Sequence, residues 1–265
     1  MAISTFDGFL ASAKQYTTIV KIASRTSVAA LWSSVYDVAG NPGAGTLAGS
    51  STTTGTVPTD ATAGHPTIDA FGGGATGYLA QVDFGSSVAC RLKLFDLLWK
   101  GGAYAFNAST SGNTPTSFSS RVPGGTNFAD TQIWYEQVTA GTGVQSVAVT
   151  YTNQSGTTGR STGTVAAPAA MILGRMMQLP LQAGDTGVQG VTGVVGSVAT
   201  VGTFNILVVR PIWSGRVKIV NDGDVHDLAK TGMPIVYADS ALILAVAADS
   251  TATGAPELEL VIASG

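Results

Sequence analysis

The sequence predicts a mainly β protein, an antiparallel sandwich or a jelly-roll-like fold, with a short N-terminal helix and long Gly/Thr-rich loops. Apolar residues alternate with polar ones over many short runs, and Gly, Pro, Asn and Asp separate those runs. The composition agrees: Gly, Thr and Ser fill 90 of the 265 positions, yet 45% of the chain is hydrophobic. Charged residues make up only 11%, where a soluble domain carries about 25%. Disorder needs low hydrophobicity with high net charge, and a formal charge of -3 does not supply it.

Along the chain, Ser4 followed by Asp7 resembles a capping box with Asp in the Glu position. Phe6, Phe9, Leu10 and Ala13 then recur at helical spacing. The β-branched run from Thr17 to Val20 favours an extended segment after it. The expectation is a helix of about three turns leading into a strand. A free helix of that length is marginal in water, so its apolar stripe needs a partner. That partner is either its own domain or a neighbouring subunit. Residues 1–24 are therefore set apart as a helix or arm, and 25–265 as one β-rich domain. Residues 39–76 form a Gly- and Thr-rich stretch, and structureless loops beyond about 15 residues are often functional. It either wraps over a neighbour or is an ordered meander with short strands.

From Tyr78 the period becomes two, and Val144–Thr152 places Val147, Val149 and Tyr151 on one face. Further strand candidates are 132–138, 163–166, 172–181, 204–209, 216–219, 235–237, 242–247 and 258–262. Arg91–Trp99 fits neither period, and a helix there is possible. The many short strands point to a sandwich or barrel.

Several functions are disfavoured. The pI of about 5.2 and sparse Lys and Arg do not suit a phosphate-tracking surface, so no specific nucleic-acid partner is expected. The longest uninterrupted apolar run, Ala241–Ala248, is far below the ~20 residues that span a bilayer, so no membrane partner is expected. No cationic region precedes an apolar core near the start, and no signal peptide is expected. The single Cys90 offers neither an internal disulfide nor a cysteine metal site.

Chemical motifs match by letter only. Gly72–Gly77 fits G-x-G-x-x-G, but a strand pattern follows it where a phosphate-holding helix is required. Gly159–Gly163 fits G-x-S-x-G around Ser161, yet Val165 and Pro168 follow it instead of a helix. The candidate base for such a hydrolase is His226. Asn221–Asp227 gathers three carboxylates and His226, a cation-binding composition that a polar turn with self-capping Asp explains equally. Trp134, Tyr135 and Glu136 are the candidate platform of a carbohydrate-binding module, although aromatics at strand spacing usually belong to a core or interface. No enzyme is expected, with no catalytic, cofactor or metal residues assigned. The one candidate site is an interface on Phe6, Phe9 and Leu10.

The wording of several strings resembles a family of virion structural proteins from tailed bacteriophages. They are Val35-Tyr36-Asp37-Val38-Ala39-Gly40-Asn41-Pro42-Gly43-Ala44-Gly45, Val57-Pro58-Thr59-Asp60-Ala61, Ala148–Gln154 with Gly159-Arg160, and Gly223–Leu228. The resemblance runs over most of the chain. It implies a structural role in the phage head, that of a decoration or capsid cement protein. It also implies a virion location after synthesis in the bacterial cytoplasm, and as partners a major capsid protein lattice and copies of itself. It supplies no catalytic residues. Shell-forming, collar and tail components remain alternatives.

Overall fold

The computed structural model describes residues 3, 5–111, 113–168, 170–197 and 201–265. Its strands form three sheets, and every pairing within them is antiparallel. The first sheet orders β15 (Asp222–His226), β5 (Gly77–Ser86), β18 (Pro256–Ser264), β1 (Ala13–Lys21) and β3 (Gly40–Asn41), with β16 (Ile235–Val236) also on β5. The central sheet orders β12 (Met176–Leu179), β8 (Gln132–Thr139), β14 (Thr203–Val217), β6 (Cys90–Ala105), β17 (Leu242–Ala248) and β2 (Ser33–Ser34), with β4 (Ser51–Thr56) on β6. The third orders β10 (Arg160–Ser161), β9 (Ser146–Asn153), β13 (Val188–Gly196) and β7 (Ser109–Ser111), with β11 (Val165–Ala166) on β9. The helices are α1 (Phe6–Ala11) and α2 (Leu228–Thr231). The arrangement is mainly β and sandwich-like with a short N-terminal helix, as the periodicity predicts.

The central sheet serves two sandwiches. Leu92 and Leu94 of β6, Ile212 of β14 and Leu244 of β17 pack against Leu79, Val82, Leu258 and Leu260 of the first sheet. Further along the same long strands, Leu98, Trp99, Ile206 and Val208 pack against Val147, Val149, Val191 and Val194 of the third. Intervening residues such as Phe95, Leu97, Leu207 and Val209 turn the other way, into a third cluster with Tyr36, Trp134 and Met176. A sheet covered on both faces needs continuous apolar runs, and every residue of β17 is buried.

Several expectations change in contact with this architecture. Arg91–Trp99 is strand, not helix; its lack of period reflects burial on both faces, with a bulge where Trp99 and Leu97 face Val208 and Val209. The candidates 204–209 and 216–219 join through Pro211 in the single strand β14. Pro211 lies beyond the end of the β8 pairing at Val209 and beside a register shift, where a missing N–H is tolerated. Residues 39–76 are an ordered meander on their own body. They hold β3 and β4, bury Leu47, His65 and Ile68, and are tied down by Tyr36 Oη donating to the Ala63 carbonyl at 2.6 Å. The Asp222–Asp227 stretch is mostly the edge strand β15, with the turn just before it, where Asn221 takes a φ of 57°. Of residues 1–24, Ala13–Lys21 are a strand inside the first sheet, paired from Ala13–Ser264 to Val20–Glu257.

Candidate functional site

The helix α1 is six residues long, shorter than the spacing suggests, and is capped by Thr5. Ser4, the expected cap, lies outside the described residues. Thr5 sits in extended conformation and its Oγ1 accepts the Gly8 N–H at 3.0 Å, while Asp7 adds negative charge to the first turn. Lys14 Nζ closes the other end by donating to the carbonyls of Phe9 and Leu10 at 2.9 and 3.3 Å. None of the helical residues is buried. Phe6 and Leu10 are 64% and 58% exposed, and Phe9 is half-buried, with the Lys14 ammonium 4.7 Å from its ring centre. The three candidate interface residues thus form an apolar ridge just ahead of β1 in the chain. Tyr16, 76% exposed on β1, follows it in the chain. Ile219 and Val220 make a second exposed apolar point at the turn between β14 and β15.

The other sequence candidates are not brought together as catalytic groups. Ser161 lies on β10 in the third sheet, its Oγ accepting the Gly163 N–H at 3.1 Å. His226 lies on β15 in the first sheet, its Nδ1 accepting from Trp213 Nε1 at 2.9 Å. In the acidic stretch, His226 Nε2 stands 3.8 Å from an Asp224 oxygen and Lys230 Nζ 3.7 Å from the same oxygen. The Val225 N–H, with Lys230 and His226 nearby, holds the Asp224 carboxyl below its ordinary range. Asp227 instead caps α2, accepting the Ala229 and Lys230 N–H groups at 3.1 Å each. Among the described residues no group of three or more His, Cys, Asp and Glu converges on a metal-sized site. Nor is any described helix long and apolar enough to cross a membrane.

The aromatic platform is absent from the surface. Trp134, Tyr135 and Glu136 are all buried. Trp134 packs against Trp32 and Phe95, and Glu136 accepts from Asn205 Nδ2 at 2.8 Å. A strand of a doubly covered sheet has no face left for a sugar.

Two buried polar clusters escaped the sequence. Asp96 accepts from Arg121, from Arg210 at 3.3 Å, from Ser240 Oγ at 2.9 Å and from the Ala241 N–H at 3.1 Å. The second cluster gathers Lys100, Glu136 and Asn205 around residues 46–49. These residues come from segments far apart in the chain, so no local spacing announces them.

No protein-family model matches the chain, and no curated protein matches it. Among solved structures it is similar to the infectious bursal disease virus VP2 subviral particle, with 9% identity over 96% of this chain and 80% of that one and a TM-score of 0.22. It is also similar to T=1 particles derived from the same virus, with 10% identity over 95% and 76% and a TM-score of 0.17. These weak neighbours are proteins of viral particles, and at such TM-scores the likeness carries no argument about role.

Proposed function

We propose that the chain is a non-enzymatic structural protein of a phage particle, decorating and stabilising the capsid lattice through contacts between subunits. The observation that carries this reading is α1, an apolar helix with no buried residue. A six-residue helix does not hold its shape alone in water, and a ridge of Phe6, Phe9 and Leu10 next to a paired strand suits docking on a neighbour. The charge-poor composition and the strings that resemble tailed-phage virion proteins support the same reading. A cement protein adds binding free energy that shell expansion or internal pressure must overcome, through interfaces of roughly 1,200–2,000 Å² repeated over a lattice. The partners are then a major capsid protein lattice and copies of this chain, and the location is the virion.

Residues 39–76 are a weaker second contact, because their hydrogen bonds run to their own body. The test is sedimentation velocity of the purified protein, alone and mixed with undecorated heads. A small oligomer that comigrates with heads is expected. Removing residues 1–12, which stops short of β1, is expected to abolish comigration with the β-fold intact. Closed shells formed by the protein alone make it a shell component instead, and a monomer that ignores heads overturns the virion reading.

A further inference from the structure

The sandwich formed by the first and central sheets carries opposite charge on its two outer faces. Leu92 and Leu94 of β6, with Trp213 and Val217 of β14, point into its core. Successive residues of a strand face opposite sides, so Arg91, Lys93 and Arg216 point outward from the central sheet, and exposed Lys218 follows just past β14. On the first sheet, Val82 and Phe84 of β5 and Leu258 and Leu260 of β18 point into the same core. Asp83, Glu257 and Glu259 therefore point outward, and all three are exposed. Four of the chain's 13 Lys and Arg thus gather on one face and two of its three Glu on the other, so a charge-poor chain spends much of its charge here. The two faces lie back to back across one sandwich.

Each face also sets like charges side by side. Arg91 stands directly opposite Arg216, and Asp83 directly opposite Glu259. Such pairs destabilise a sheet, and among the described residues none of these cations and carboxylates takes part in an ion pair. The neighbours of Arg91 and Lys93 across β17 are Ala247 and Ala245, which supply no countercharge. Charges on edge strands prevent stray pairing, but β6, β5 and β18 are each paired on both sides. The cationic face is shaped as well. A surface cavity of about 620 Å³ opens on it, lined by Arg91, Lys93, Arg216, Lys218 and Trp32. The Trp32 ring centre lies 5.0 Å from the Lys93 ammonium and 5.5 Å from the Arg91 guanidinium, which also donates to the Ala30 carbonyl at 2.6 Å. The carboxylate at the rim, Asp224, is already shared by Lys230 and His226.

We propose that the cationic face is a docking surface for a second copy of this chain, which presents to it the acidic face of Asp83, Glu257 and Glu259. The charges are complementary, and each contact relieves a like-charge pair on both partners. Gly85 and Gly223 lie beside Glu257 on the acidic side, so no bulky side chain of those strands screens its carboxylate. Each copy uses one face on one neighbour and the opposite face on the next. The contact is therefore head-to-tail, and copies either stack in a row or close into a ring. Complementary charge steers encounter and fixes register more than it adds affinity, so the association is weakened by salt. It uses neither α1 nor a capsid and does not rest on the virion reading.

The test is sedimentation velocity of the full-length protein over a range of concentrations, at low and at high salt. The wild-type chain is expected to associate at low salt and to come apart as the screening length falls from about 30 Å at 0.01 M to about 3 Å at 1 M. Arg91→Gln with Arg216→Gln weakens the cationic face, and Glu257→Gln with Glu259→Gln the acidic one. Each double variant alone is expected to lose the salt-sensitive association. Its urea midpoint should equal the wild-type value or exceed it, because a like-charge pair is gone. Mixed, the two variants are expected to form a salt-sensitive one-to-one pair that grows no further, since one productive contact remains between them. A wild-type chain with no salt-sensitive association overturns the proposal, and so does such association surviving in either variant alone. Association that salt does not weaken runs through apolar surface such as α1 and overturns it too. A wild-type chain that ignores its own copies but is held on heparin through Arg91 and Arg216 overturns it in favour of an anionic polymer.

Discussion

Asp96 joins parts of the chain that are far apart in sequence. Its oxygens hold Arg121, Arg210, Ser240 and the Ala241 N–H, while Arg121 also donates to the Pro58 and Leu97 carbonyls and Arg210 to the Ile235 carbonyl at 2.9 Å. Removing one partner of a buried pair leaves an uncompensated charge, which destabilises by about 3–5 kcal/mol. Asp96→Asn is therefore expected to lower stability by that amount in urea melts, far more than an exposed carboxylate such as Asp83 changed to Asn. Nearby, His65 Nδ1 donates to the Leu242 carbonyl at 3.1 Å, and its buried Nε2 has no partner among the described residues. Burial, with Arg121 and Lys100 adding to it against the Leu242 carbonyl and Asp96, brings its pKa down to about 4 from 6.5. Between those values the unfolded chain takes up a proton that the folded chain refuses, so stability is present above 6.5 and is lost as pH falls through 4. The loss is on the order of 3 kcal/mol. Comparing urea midpoints at neutral and mildly acidic pH should reveal it, and His65→Asn should flatten the slope. Residues inside the virion-like strings have structural duties of the same kind. Tyr151, Asn153 and Arg160 converge on Asp185, whose carboxyl the Arg160 guanidinium, with Asn153 and Tyr151, holds at about 2.

At the scale of elements, α1 is the one whose removal should leave the body unchanged. Phe6→Asp with Leu10→Asp is expected to shift stability by less than about 0.5 kcal/mol, as surface substitutions do, while abolishing association with heads. Ile262→Ala on the buried face of β18 should instead destabilise by about 2–5 kcal/mol. A large stability loss in the helix variant would mean that the helix docks on its own domain. The ease of reading each element from sequence followed its exposure. β9 alternates because one face meets the core and the other does not, and its limits are legible to within a residue or two. β6 is opaque because both faces are covered. β13 was hidden by its glycines, which permit close approach rather than end the strand: a Cβ at Gly190 would meet Pro115 Cγ at 2.7 Å, and one at Gly196 the Phe106 carbonyl oxygen at 2.2 Å. The apolar ridge of α1 was legible from spacing alone. The Lys100, Glu136 and Asn205 cluster was not, because strand register and a loop from residues 46–49 assemble it.

For the whole molecule, the decisive feature is that β6 and β14 run through both sandwiches. Chains of this length tend to split into separately folding domains, and the two apolar clusters facing the first and third sheets look like two such cores. They share strands, however. Leu92 and Leu98 lie on one β6, and Val208 and Ile212 on one β14. Between the two cores sits Asp96, held by Arg121 from the Phe118–Val122 segment of the second core and by Arg210, which also bonds β16 of the first sheet. Opening either sandwich alone would bare one stretch of a sheet whose other stretch stays packed, and would strip partners from a buried carboxylate. The two cores should therefore unfold together. Trp213 reports on the first and Trp99 on the second, so single-tryptophan variants retaining one or the other are expected to give coincident urea transitions. Two separated midpoints would mean that the shared strands can fray at one end while the other holds, and Asp96→Asn should then widen the gap.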